Sequence, residues 1–157
     1  MRSIANPCCA AAALLLVLGA MAPAAETPAA GAAVPGDLLN QAKQLAYILG
    51  AAEQVIADNQ ELIDDPSKGD KGLSADAVMA KAAEHYQKAA KEAMPSMVGD
   101  SRQDKQDRAL VTIIRSVLDK AQPLINEPGK GYKSFLSPIF TDQVAREFTR
   151  TMMDSTS

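Results

Sequence analysis

The stretch QELIDDPSKGDKG runs from Gln60 to Gly72, and QPLINEPGKGYKS follows it from Gln122 to Ser134. Seven identities fall in these thirteen aligned positions, where chance would give about one. The likeness holds at a constant offset: Val55 matches Val117, Leu62 and Ile63 match Leu124 and Ile125, and Pro66, Lys68, Gly69 and Lys71 match Pro128, Lys130, Gly131 and Lys133. A small chain that writes one loop twice is expected to be a duplicated helix–loop–helix unit. Two copies are too few for a solenoid, and two hairpins closing on each other bury both apolar faces most simply.

The flanking periodicity agrees with that reading. Leu38, Ala42, Leu45, Leu49, Ala52 and Ile56 share one helical face, with Asp37 as cap and Pro66 as the stop. Leu110, Ile114, Val117, Ala121 and Leu124 repeat the stepping, behind Ser101 and Asp104 at capping-box distance, with Pro123 bending the last turn and Pro128 ending it. A third segment, about 75–94, is lined by Val78, Met79, Ala82, Ala83, Tyr86 and Ala90. A fourth, about 138–153, carries Phe140, Val144, Phe148 and Met152 behind Ser137 as N-cap and Pro138 as first helical residue. No β-branched alternating run occurs, so the expected fold is all-α: a four-helix, bundle-like domain over 37–157, with repeats at about 38–94 and 101–153.

Within each repeated loop, proline stops the helix, Gly69 and Gly131 are expected to take positive φ, and the lysines sit near a helix C-terminus, where the dipole favours cations. A phosphate cradle fits less well. Tyr132 stands where a glycine would precede Lys133 and Ser134, and no strand leads in. Calcium fits no better, because Asp64, Asp65 and Asp70 lack EF-hand spacing and the second copy substitutes Asn126, Glu127 and Tyr132.

Residues 1–25 have the form of a secretory signal peptide: Arg2, an apolar run from about Ala10 to Met21, and the A-x-A pattern of Ala22, Pro23 and Ala24. The run is too short for an ordinary membrane span, so no transmembrane segment is expected after cleavage. Cys8 and Cys9 leave with the signal, and the remaining chain has no thiol for a disulfide or a thiolate metal site. Residues 26–36, rich in Ala, Pro and Gly, read as a flexible tether. Without Arg2, 15 basic residues face 19 acidic ones, a net charge of −4 with no basic stripe for nucleic acid. The expected location is periplasmic or secreted.

Two long stretches, NQELIDDPSKGDKGLSADAVMAKAAEHY and INEPGKGYKSFLSPIFTDQVAREF, resemble a bacterial family of periplasmic haem-type sensor-like domains of unknown function, which also serve as ectodomains of sensor kinases. The family motif maps to Tyr132, Lys133, Ser134, Phe135, Pro138, Phe140, Val144 and Phe148, with Ser134 in place of the usual glycine and the proline shifted by one. The likeness spans roughly residues 42–150. It implies a sensor-like or ligand-binding module, without enzymatic activity, that acts through a small-molecule ligand or an envelope protein partner. This chain lacks the family's further C-terminal segment and the C-x-x-C-H signature, so covalent haem is excluded and no cofactor is expected.

The expected ligand-binding residues are Tyr47, His85, Tyr86, Lys133, Phe135 and Phe140, with Tyr47, Tyr86, Phe135 and Phe140 lining a pocket between the hairpins. His85, the single histidine, borders the apolar stripe and is expected to be a partly buried surface residue. Non-covalent haem would need it as an axial ligand together with Met79, Met94, Met97, Met152 or Met153, although methionines at helical spacing more often fill cores. One histidine without cysteine makes no metal triad, and no catalytic set has motif support, so neither catalytic nor metal-ligating residues are expected. A structural or chaperone-like envelope protein presenting an amphipathic face is the competing class. Edman sequencing of exported material is expected to read from Ala25; a first cycle at Met1 overturns the cleavage.

Overall fold

The computed structural model describes residues 35–155. The expected signal peptide and most of the tether lie outside the described residues. Five helices are present and no strand is seen among the described residues: α1 Gly36–Asp58, α2 Gln60–Asp64, α3 Ala75–Ala90, α4 Arg102–Ile125 and α5 Ser137–Asp154. The class is all-α and bundle-like. α1 lies along α3 and α4 lies along α5, and these hairpins meet through α1 with α4 and α5, and through α3 with α4.

Several boundaries follow the sequence and several depart from it. Ser101 and Asp104 form the capping box of α4, each side chain receiving the other residue's backbone N–H. Ser74 caps α3 by accepting from the Ala77 N–H at 3.3 Å. α1, however, begins one residue before Asp37, with Pro35 at the cap position and Asp37 inside the first turn. It also ends at Asp58, well short of Pro66. Asn59 leaves helical geometry and donates its side-chain amide back to the Val55 carbonyl at 2.7 Å, so the last turn restarts as α2. α3 stops at Ala90, where Lys91 takes the left-handed conformation at φ 63. In α5 the cap position belongs to Leu136, with Ser137 already helical.

Burial explains which face of each helix wins. In α1 the core residues are Ile48, Ala51, Ala52, Val55 and Ile56, whereas Leu38 and Ala42 from the expected stripe are exposed. Early in α1 it is Gln41, Gln44 and Leu45 that face the partner helices, and Leu38 and Ala42 point away. Residues 62 apart share the same fate in the interior: Ile48 with Leu110, Ala52 with Ile114, Val55 with Val117, Ile56 with Leu118 and Ile63 with Ile125 are all buried. The same holds for Leu73 with Phe135, Val78 with Phe140 and Ala82 with Val144. Each fully buried aliphatic side chain contributes roughly 1.5–3 kcal/mol of transfer free energy.

The repeated loops close the domain at one end. Lys71 and Lys133 are buried, exposed to 5% and 1%, rather than solvated at a helix terminus. The Lys71 ammonium donates to the carbonyls of Asp65 and Lys68, and the Lys133 ammonium to that of Glu127, so each satisfies the end of its own preceding helix. Backbones are held across the pair instead. The Lys71 N–H donates to Asn126 Oδ1 at 3.0 Å, and the Lys133 N–H to Asp64 Oδ1 at 2.9 Å. Those carboxamide and carboxylate groups are themselves oriented one turn back, by Gln122 and Gln60. Gly129 N–H adds a bond to the Pro66 carbonyl at 2.9 Å.

The expected positive φ at Gly69 and Gly131 is not found. Left-handed backbone falls three residues later, at Gly72 (φ 64) and its counterpart Ser134 (φ 57); Gly129 (φ 77), two residues before Gly131, is left-handed as well. The turn is made after the buried lysine, where the chain must reverse to bring Leu73 or Phe135 into the core. Gly69 and Gly131 instead lie close to the opposite loop: a Cβ on them would come 4.0 Å from the Asn126 carbonyl oxygen and 3.9 Å from that of Asp64. Replacing Ser134 by glycine removes left-handed strain and is expected to raise unfolding free energy by about 1 kcal/mol, with Gly72→Ala lowering it by a similar ~1 kcal/mol. Urea melts check the pair; a Ser134→Gly protein no more stable than wild type contradicts the account.

Candidate functional site

The six residues expected to bind ligand divide into two groups, one on each hairpin. Tyr47 and Tyr86 meet edge to face, ring centroids 6.1 Å apart, where α1 passes α3. Phe135 and Phe140 make a tilted contact at 6.2 Å on the α4–α5 side. The common pocket expected between the hairpins is not formed by these side chains: Tyr86, Phe135 and Phe140 are core residues, exposed by 3% or less. Lys133 is likewise committed, its ammonium turned onto the Glu127 carbonyl inside the loop. Of the six, Tyr47 and His85 face outward.

Those two residues belong to one groove between α1 and α3, of about 460 Å³, lined by Ala46, Tyr47, Gly50, Ala51, Gln54, His85, Lys88 and Ala89. Its floor is made of small residues because α1 presents Ala46 and Gly50 one turn apart, and Tyr47 stands 42% exposed beside them. His85 enters from α3 half-buried and sets its Nε2 3.4 Å from Asp58 Oδ2 at the end of α1. Gln54 is held from the side by its amide donating to Asp58 Oδ1 at 2.6 Å. Asp58 thus fixes two groove residues at once. Gln54 and Lys88 were not singled out in the sequence, and the signal that could have found them is their i, i+4 and i, i+3 spacing to Asp58 and His85.

His85 and three of the methionines considered as haem ligands lie in separate places. The groove that includes His85 contains no methionine, and Met79, Met94 and Met97 line a different cavity. Among the described residues no group of three or more His, Cys, Asp or Glu side chains comes together as a metal site.

A second polar feature lies where the first half of α1 crosses the first half of α4. Gln41 donates to Gln106 Oε1, Gln103 donates to Gln44 Oε1 at 2.5 Å, and Gln44 donates to Asp107 Oδ2. The first two bonds are counterparts, since Gln103 stands 62 residues after Gln41 and Gln106 after Gln44. Asp107 breaks the likeness, replacing Leu45. It is fully buried, its Oδ1 has no protein partner, and burial pushes its carboxyl above the usual carboxylate range. The Gln44 bond opposes that shift and the Asp104 charge reinforces it. Tyr86, close enough for Asp107 to act on it, is raised as well, again mainly by burial.

No family model, no curated protein and no solved structure matches the chain.

Burying a charged carboxylate destabilises the fold above the raised folded-state value, and protonation relieves the penalty as pH falls through that value toward the unfolded value near 4. Acidification from neutrality to about pH 5 is therefore expected to lose less stability than in Asp107→Asn, in which this group no longer titrates. Urea midpoints of both proteins across that range test it; parallel profiles contradict the buried charge.

Proposed function

We propose that the chain is an exported, non-enzymatic, sensor-like module built from two copies of one helical hairpin, periplasmic or secreted, that binds a small molecule in the α1–α3 groove. The observation that carries this reading is the composition of the groove. Small residues form its floor, Tyr47 supplies an exposed aromatic face, and Lys88, Gln54 and His85 supply one cation and two hydrogen-bonding groups around it. A cavity of about 460 Å³ falls within the size range of small-molecule sites. A flat ring stacking on Tyr47, with an acidic group reaching Lys88, matches the aromatic face and the cation, so aromatic carboxylates are the ligand class favoured.

The envelope-scaffold alternative draws on Leu38 and Leu39 at the start of α1 and Ile139 on α5, exposed by 42%, 49% and 39%. These are single residues on two helices rather than a continuous face, and such scattered exposure is ordinary for soluble domains. No described helix is long and apolar enough to cross a membrane. Ligand-observed NMR with a set of aromatic carboxylates is expected to show binding that Tyr47→Ala and Lys88→Ala each weaken about tenfold, equivalent to ~1.4 kcal/mol. Equal binding to wild type and both variants, or none by any member of the set, sinks this ligand assignment.

A further inference from the structure

Three of the five methionines among the described residues line a single cavity of about 350 Å³ on the opposite side of α3 from the His85 groove: Met79 from α3 and Met94 and Met97 from the connection between α3 and α4. Pro95, Val111 and the Asp76–Arg115 ion pair complete its wall. Methionine commonly fills irregular gaps in cores, and Met79 alone, buried on a helix, would need no other account. Met94 and Met97 differ. They lie outside any helix, in the sequence Met94-Pro95-Ser96-Met97, and are half-buried rather than packed away.

Met97 also holds its backbone at φ 57, in the left-handed region that side-chain-bearing residues avoid. Arg108 fixes it there, its guanidinium donating to the carbonyls of Met97 at 2.8 Å and Gly99 at 3.2 Å. A side chain at Gly99 would displace the capping box, since its Cβ would come 2.2 Å from Asp104 Oδ2. The connection is thus locked from its far end, and the strained residue that results belongs to the methionine pair. Local strain maintained by surrounding contacts is a mark of sites where side-chain placement matters.

Thioethers are soft, uncharged donors that select monovalent d10 cations over Zn²⁺, Mg²⁺ or Ca²⁺. They need no deprotonation, the nearby Asp76 carboxylate is paired with Arg115, and the one other side-chain oxygen in the wall is the neutral Ser96 hydroxyl, a poor ligand for a soft cation. We propose that Met79, Met94 and Met97 together hold one soft monovalent cation, Cu(I) or Ag(I). This inference is independent of the aromatic carboxylate reading, because the two cavities share no residue.

The test uses Ag(I), which needs no reductant, in chloride-free buffer with the full chain carrying Cys8→Ser and Cys9→Ser to remove competing thiolates. Methyl-labelled methionine NMR is expected to show the Met79, Met94 and Met97 signals shifting to completion at one equivalent, while Met152 and Met153 move little. Met94→Leu and Met97→Leu are each expected to weaken Ag(I) at least tenfold, and Met152→Leu with Met153→Leu to leave it unchanged. No shift at one equivalent, an equal shift of all seven methionine signals of the full chain, or undiminished binding in the Met94→Leu/Met97→Leu protein overturns the assignment. A His85→Ala protein that loses Ag(I) overturns it too, by moving the site to the other groove.

Discussion

An ammonium group removed from water must be surrounded by acceptors, and this requirement shapes the closed end of the molecule. Lys71 and Lys133 reach back onto the carbonyls of Asp65 and Glu127, six residues before them, and so wind each loop around its own cation. Once wound, each loop offers its lysine N–H outward, and the acceptor comes from the other loop. Helix termini, loop conformation and the pairing of the hairpins are therefore settled by one set of polar contacts. The proximity of the two cations lowers the proton affinity of Lys71, behind the larger effect of desolvation, so the arrangement carries an electrostatic cost that backbone carbonyls offset.

The opposite end of the α1–α4 contact is organised differently. Glutamines exchange hydrogen bonds across the crossing, and amides tolerate that role because each is donor and acceptor at once. A carboxylate in the same layer accepts only, which is why Asp107 is left with an oxygen lacking a protein partner where Leu45 has none to satisfy. Uniform at its looped end and uneven at its glutamine end, the interior has a direction although its core positions recur at a fixed interval.

Much of the fold was legible because periodicity and caps are local. Ser101 with Asp104 and the apolar positions of α3 through α5 needed no tertiary information. The break at Asn59 was not legible, since the expected stop was Pro66 and nothing in the apolar stepping marks the amide that turns back onto Val55. The rotation of the buried face of α1 was equally hidden: Leu38 and Ala42 continue the stripe in sequence but stay exposed, while Gln41 and Gln44 of the same turns meet α4. Glycine misled for a related reason. Gly69 and Gly131 are identical in both loops, yet the left-handed residue is the mismatched pair Gly72 and Ser134, and a Cβ on Gly69 or Gly131 would meet the other loop only at ordinary contact distance. For the site, residue type alone suggested aromatic side chains as a lining, and tertiary packing drew three of the four into the core.

Inside and outside of the two halves have followed separate rules. Interior positions match across the interval of 62, but the outward groove of the first hairpin does not recur in the second: Tyr47 corresponds to Ala109, Gly50 to Thr112 and His85 to Glu147. Glu147 is engaged with Arg150 instead, at 2.5 Å. A near-symmetric interior thus carries an asymmetric exterior, and the chain displays that groove's chemistry once rather than twice. If the proposed ligand binds there, the valency of one chain is one, and avidity from a single chain is unavailable.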